Sequence, residues 1–358
     1  MRANRIKKLR AGLIDYQLDG ILVMNRENCH YLSGFTGTEG CLLITADSCY
    51  LCADFRYLEQ AKMQARGFAI AESHGSSFQA LASLVEKTQA KKIGFEEEHV
   101  TYQVYRKLVD LKLPSVQWLP VAGIIEALRM QKDQEELAAI KKAAAVDDLT
   151  YKHILDFIQP GLRERDIALE LEFFARKQGG EAASFDFIVA SGPRSALPHG
   201  TATDRILTPG DLLVLDFGTV VSGYHSDFTR TIVIGEPTAE QLAVHQVVQL
   251  AQREAIAAVC SGRSTREIDA IARQIIAEHG YGQYFGHGLG HGVGLNIHEG
   301  PHLALHKDCI LRPGMVITIE PGIYIPQWGG VRIEDMVVVT ESGYEVLEYS
   351  SRELFSIY

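Results

Sequence analysis

Two hairpin patterns, each an apolar strand run broken by acids, constrain this chain more than any other feature. DLLVLDFG and SDFTRTIVIG flank a Val-Val-Ser-Gly-Tyr turn region, and Asp216 sits inside an otherwise apolar run. A buried carboxylate without a partner is strongly unfavourable. Pairing about residues 221–222 sets Asp216 roughly opposite Asp227, and two like charges side by side on a buried sheet face repel. A cation or a shared proton between them relieves the repulsion, and a metal is the simpler answer. The second pattern repeats the arrangement. VITIEPGIY leads through Pro-Gln-Trp-Gly-Gly to VRIEDMVVV, with Glu320 and Glu334 equidistant from residue 327. Strand alternation puts Arg332, Glu334 and Met336 on one face and Asp335 with Ile333 on the other. Glu334 is therefore the ligand candidate, and Asp335 is read as structural or solvated.

Histidine supplies the nitrogen donor. Nine of the 13 histidines fall between His199 and His306. In FGHGLGHGVGLNIHEGPH, glycines at 286, 288, 290, 292 and 294 let the backbone crowd a site. Strict alternation places His287, Leu289, His291 and Val293 on one side. One imidazole added to four carboxylates completes a dinuclear set, because four acids offset two divalent ions. Such an oxygen-rich set suits Mn²⁺ or a similar transition ion better than a thiolate-type structural zinc site. His225, His245, His279 and His306 read as surface or core residues. Three other motifs fail on context. His298-Glu-Gly-Pro-His302 satisfies HExxH, but Gly-Pro prevents the helix that motif requires. The glycines never fall in GxGxxG register, and Asp216-Phe-Gly lacks the other kinase motifs.

Length and composition set the frame. The 358 residues suggest two domains, and a net charge of −10 argues against a general nucleic-acid binder. No apolar run approaches the ~20 residues of a membrane helix. Residues 1–20 are basic and lack the apolar core of a signal peptide, and the six cysteines are spread through a chain large enough to fold without staples. Cys49 and Cys52, a CxxC match in a strand-like run, are expected to be buried thiols. These features predict a reduced, cytoplasmic protein. Glu96, Glu97 and Glu98 read as a solvated charge run. Residues 1–122 alternate helix and strand as an α/β domain. Residues 123–358 combine long helices, starting with one over 133–158 capped by Asp133 and Glu136, with strands at 185–191, 211–217, 227–234, 315–320 and 332–340. Hairpins in place of strict βαβ alternation predict an α+β catalytic domain on a curved antiparallel sheet.

The ordered set Asp216, Asp227, His291, Glu320 and Glu334, with LGHGVG, TIEPGIY and GGVRIED, resembles the pita-bread metallopeptidases. That group includes methionine aminopeptidase, aminopeptidase P, prolidase and creatinase. The resemblance spans about residues 130–350, and the N-terminal part resembles the creatinase-type domain of the proline-specific members. It implies a pita-bread fold and two metals, most simply Mn²⁺, with Co²⁺, Zn²⁺ or Fe²⁺ as alternatives. One ion would be held by Asp216 and Asp227, the other by Asp227, His291, Glu320 and Glu334, with Asp227 and Glu334 bridging. It further implies Glu320 as general base, His199 near the scissile bond and His298 steadying the carbonyl or tetrahedral intermediate. Arg332 would orient a metal carboxylate or contact substrate, and Phe185 and Ile297 would wall a proline-sized pocket.

The implied activity is hydrolysis of the Xaa-Pro bond at the N-terminus of proline-containing peptides, with a homodimer as the expected assembly. Some dipeptidases of the group place an Arg just after the HE-x-P segment to hold the substrate carboxylate. Here that position is His302, which tilts the expectation towards an aminopeptidase acting on longer peptides. The alternative is an Xaa-Pro dipeptidase, a prolidase. A metal-independent creatinase-like hydrolase or a non-catalytic binding protein on the same fold is more distant, because all five ligand positions are retained.

Overall fold

Capping explains where the principal helices begin. Asp133 accepts hydrogen bonds from the Glu135 and Glu136 N–H groups, Glu136 reaches back to the Asp133 N–H, and a helix runs over Gln134–Phe157. Thr238 with Gln241 and Ser264 with Glu267 open the helices Ala239–Ala257 and Thr265–Glu278 in related ways. The structure, a computed structural model, describes residues 2–73 and 77–358. Among these, no helix is long and apolar enough to cross a membrane.

The chain divides into two compact units, Met1–Arg129 and Met130–Tyr358. This places the division beyond the expected 122/123. The helix Ile124–Met130 explains the difference, because Ile124 and Ile125 are buried and Asn28 bonds both Glu126 and Arg129. The first unit is built on a mixed six-stranded sheet in the spatial order 69–72, 49–53, 41–45, 20–23, 92–96, 117–121. Cys41 and Cys52 are buried on adjacent strands, while Cys49 is half-buried. The expected solvated charge run splits. Glu96 is buried and accepts from the Met24 and Asn25 N–H groups and Asn28 Nδ2 at 2.6–2.8 Å, whereas Glu97 and Glu98 are exposed. Three donors offset the desolvation of that carboxylate.

The second unit carries a four-stranded and a five-stranded sheet with two small ladders. Their pairings are antiparallel except for Phe228–Ile234 with Phe355–Ile357. Helices cover apolar cores that include Val248, Ile268 and Ile317 on one side and Ile167, Leu213 and Phe228 on the other. The second hairpin has the expected register, since Ile319 pairs with Asp335 and Gly322 with Arg332. Its turn has Pro326 followed by Gln327 at φ 66°, and the Trp328 N–H donates to Ile325 O at 3.1 Å, the chemistry of a type II turn.

The first hairpin departs from expectation. Asp216 lies opposite Thr229, and Phe217 opposite Phe228. Ser222 (φ 53°) and Gly223 (φ 78°) form the two-residue turn, a primed geometry that a β-branched Val221 resists. Asp227 therefore shares a face with Asp216 but lies diagonal to it. At the bend beside Asp216, Gly218 is required, because an added Cβ would lie 2.0 Å from Ser226 O.

Candidate metal centre

Both hairpins meet at an isolated bridge between Thr229 and Glu334. The Glu334 N–H donates to Thr229 O at 3.1 Å, and Thr229 Oγ1 donates to Glu334 Oε2 at 2.6 Å. Asp216, Asp227, His291, Glu320 and Glu334 all line one cavity of about 550 Å³. Ligand atoms of Asp227, His291 and Glu334 lie within 4.8 Å of one another. His291 Nε2 is 3.4 Å from both Asp227 Oδ2 and Glu320 Oε1. Asp216 turns one oxygen to Arg332 Nη2.

The glycine-histidine segment reaches the site by a shorter strand than alternation requires. Within residues 286–294 only Gly290–Gly292 is strand, and Leu289 lies in the apolar core while His287 and His291 line the cavity. Gly290 and Gly292 are obligatory, since an added Cβ would stand 2.0 Å from Thr318 O or 2.1 Å from Gly300 O. His291 Nδ1 lies 3.1 Å from Gly292 O. A carbonyl only accepts, so Nδ1 carries the proton and Nε2 presents its lone pair to the acids. Burial, reinforced by His298, lowers the His291 pKa to about 3, keeping the ring neutral. His298–Glu299 enters a strand over Glu299–Leu303, as the Gly-Pro content requires.

The electrostatics of the acids point to missing positive charge. Burial raises Asp216, against the pull of Arg332. It drives Asp227 and Glu334 well above the carboxylate range, with neighbouring acids adding to the effect, and pushes Glu320 up to about 8. Asp216 Oδ1 and Glu334 Oε1 are buried without a hydrogen-bond partner. Orphaned carboxylate oxygens beside an imidazole lone pair fit divalent cations of the oxygen-preferring kind. Arg332 commits four of its five donors, to Asp216, Thr229 Oγ1 (3.2 Å), Tyr324 OH (2.9 Å) and Pro198 O (3.3 Å).

His199, His298, His302, Arg332 and Phe185 also line the cavity. Ile297 does not. Gly294 N–H donates to Asn296 O in a tight turn, and Ile297 approaches His291 through its backbone. Ile188, Pro198 and Ala304 supply apolar wall beside Phe185. Sequence reasoning missed four residues. Thr229 follows from the corrected register, and Tyr324, four residues beyond Glu320, binds both Arg332 and His287 Nε2 (3.0 Å). His287 belongs to the same network, whereas Lys307, on the cavity wall within an exposed loop, leaves no periodic signal.

A carboxylate-rich donor set with one imidazole, sunk in a cleft between two hairpins, defines an oxygen-ligated divalent-metal enzyme. Residues 138–341 match metallopeptidase family M24, and residues 5–131 match the creatinase/prolidase N-terminal domain. The chain belongs to metallopeptidase family M24 and carries that N-terminal domain ahead of its catalytic unit. It is 38% identical to the Xaa-Pro dipeptidase of Pyrococcus horikoshii over 98% of each chain. Among solved structures it resembles the Xaa-Pro dipeptidase from Bacillus anthracis, with a TM-score of 0.98, 43% identity and full coverage of both chains. It also resembles the X-Pro aminopeptidase from Thermotoga maritima, with a TM-score of 0.91 and 38% identity over 95% of this chain and 98% of that one. Membership of this family implies bound divalent metal.

Proposed function

We propose that this metallopeptidase is an Xaa-Pro dipeptidase, the alternative to the aminopeptidase reading that His302 suggested. The observation that carries it is Lys307. Among the described residues no carboxylate lies within ion-pair distance of its ammonium, and it lines the cavity near His302, whose pKa it lowers after burial. Four of the five Arg332 donors are already committed inside the site, so Lys307 is the better placed cation for the free carboxylate of a dipeptide. The dipeptidase relatives support the same choice.

Asp216, Asp227 and Glu334 are assigned to one ion, and Asp227, His291, Glu320 and Glu334 to the second, so that Asp227 and Glu334 would be shared. Mn²⁺ suits these donors. When bound, the ions supply Lewis acidity and an activated water for amide hydrolysis. Glu320 Oε1, 3.2 Å from Thr318 Oγ1, takes the proton released on attack and passes it to the leaving nitrogen of proline. The Xaa-Pro link is a tertiary amide without N–H, so this proton is what makes the ring nitrogen leave. His298, its ring centroid 4.3 Å from that of His291, steadies the carbonyl oxygen as charge develops. Arg332 holds Asp216 in place, and Phe185, Ile188 and Pro198 receive the apolar parts of the substrate.

A panel of Ala-Pro, Gly-Pro and longer Xaa-Pro peptides with each divalent ion tests the reading, and faster cleavage of the longer peptides would refute it. Lys307→Ala is expected to raise KM for Ala-Pro about fivefold, the value of a partly exposed ion pair. The same variant should leave KM for Ala-Pro amide, which lacks the carboxylate, unchanged. His298→Ala should lower kcat about a hundredfold with metal content intact. Metal loss in step with activity would instead make His298 a ligand.

A further inference from the structure

A second set of buried charges lies directly behind the acid centre. At the bridge between hairpins, Thr229–Arg230 faces Glu334–Asp335. Alternation along each strand sends Thr229 and Glu334 to one face and Arg230 and Asp335 to the other. Arg230 is 1% exposed. It donates to the carbonyls of Glu334 (2.6 Å), Thr229 (2.8 Å), Ser351 (2.9 Å) and Ser350 (3.0 Å), and to Asp335 Oδ1 (2.7 Å). Asp335, fully buried, also accepts from Gln252 Nε2 and from Arg352 Nε at 2.6 Å. It is thus structural and not solvated.

Glu334 falls in a break between the strands Gly329–Arg332 and Asp335–Val339, where neither ladder holds it. Three contacts replace the ladder: its N–H to Thr229 O, its side chain from Thr229 Oγ1, and its carbonyl from Arg230. Buried ion pairs contribute little net stability compared with apolar residues of similar size, so a retained pair is better explained by the geometry it imposes. We propose that Arg230 and Asp335 are positioning residues for Glu334, clamping its backbone from the side away from the cavity so that Oε1 is presented to metal. This rests on Glu334 being a metal ligand, as assigned above.

Calorimetric titration of Mn²⁺ into the chelator-treated full chain tests it, with near-UV circular dichroism recorded on each protein. Asp335→Asn is expected to stay folded and to bind Mn²⁺ at least tenfold more weakly, with kcat for Ala-Pro falling more than KM rises. Arg352→Gln alters only the half-exposed end of the network, and is expected to weaken Mn²⁺ binding in the same direction by a smaller factor. It keeps the test decisive if Asp335→Asn does not fold. Lower melting temperatures with unchanged Mn²⁺ affinity in both variants would overturn the clamp and leave a merely structural pair. If the wild-type chain itself takes up no Mn²⁺ or related ion, the ligand assignment of Glu334 falls and the clamp falls with it.

Discussion

Glu334→Gln is expected to lose bound metal and to lower kcat/KM for Ala-Pro by more than about a hundredfold, because changes merely behind a ligand already cost 10- to 100-fold. The amide keeps the shape of the side chain and its bond from Thr229, but removes the charge proposed to be shared by two ions. Its NH₂ would also point donors where Oε1 now offers an orphaned acceptor. Asp227→Asn should behave alike, since Asp227 is the other residue proposed to be shared between the ions. Metal content by atomic emission, measured beside turnover, checks both. Substantial turnover by metal-free variant protein would sink the dinuclear assignment.

Chelation should make the protein's stability depend on pH in an unusual direction. Without cations, burial holds Glu320 near 8 against an ordinary 4.5, and Asp227 and Glu334 move the same way. The folded metal-free chain thus binds more protons than the unfolded chain. Its stability is complete below the ordinary carboxylate range and is lost as pH rises through the folded values. Melting temperature of chelated protein should fall between about pH 5 and about pH 8, the window that Glu320 sets. Added Mn²⁺ should raise the melting temperature far more at the upper end of that range than at the lower. A flat profile for the chelated chain would show that the acids are relieved by something other than metal.

The parts legible beforehand were those written in local periodicity. The helix over Gln134–Phe157 follows from its capping pair and apolar spacing, and the second hairpin's register follows from the symmetry of EPGIY and VRIED about Gln327. The first hairpin's register was harder, because the choice between a turn at 221–222 and one at 222–223 depends on which residues tolerate positive φ. Long-range partnerships left no trace. Asp335 reads as an ordinary strand acid until Arg230, 105 positions away, is brought beneath it. Glu96 resembles its solvated neighbours until the backbone of Met24 and Asn25 closes on it. Lys307 belongs to an irregular loop, where no pattern separates a cavity-lining lysine from a solvated one. Ile297, which the family resemblance put on the pocket wall, lies off the cavity lining because the chain leaves its strand at Gly292 and turns at Gly294.

The bridge between Thr229 and Glu334 has a consequence for how the protein matures. Its two halves are made 105 residues apart during synthesis, so a ribosome must finish the C-terminal hairpin before the full ligand set exists. Fragments ending ahead of that hairpin possess Asp216, Asp227 and His291 but lack Glu320 and Glu334. Assembly of the full donor set is therefore a late event, which follows synthesis of the C-terminal hairpin.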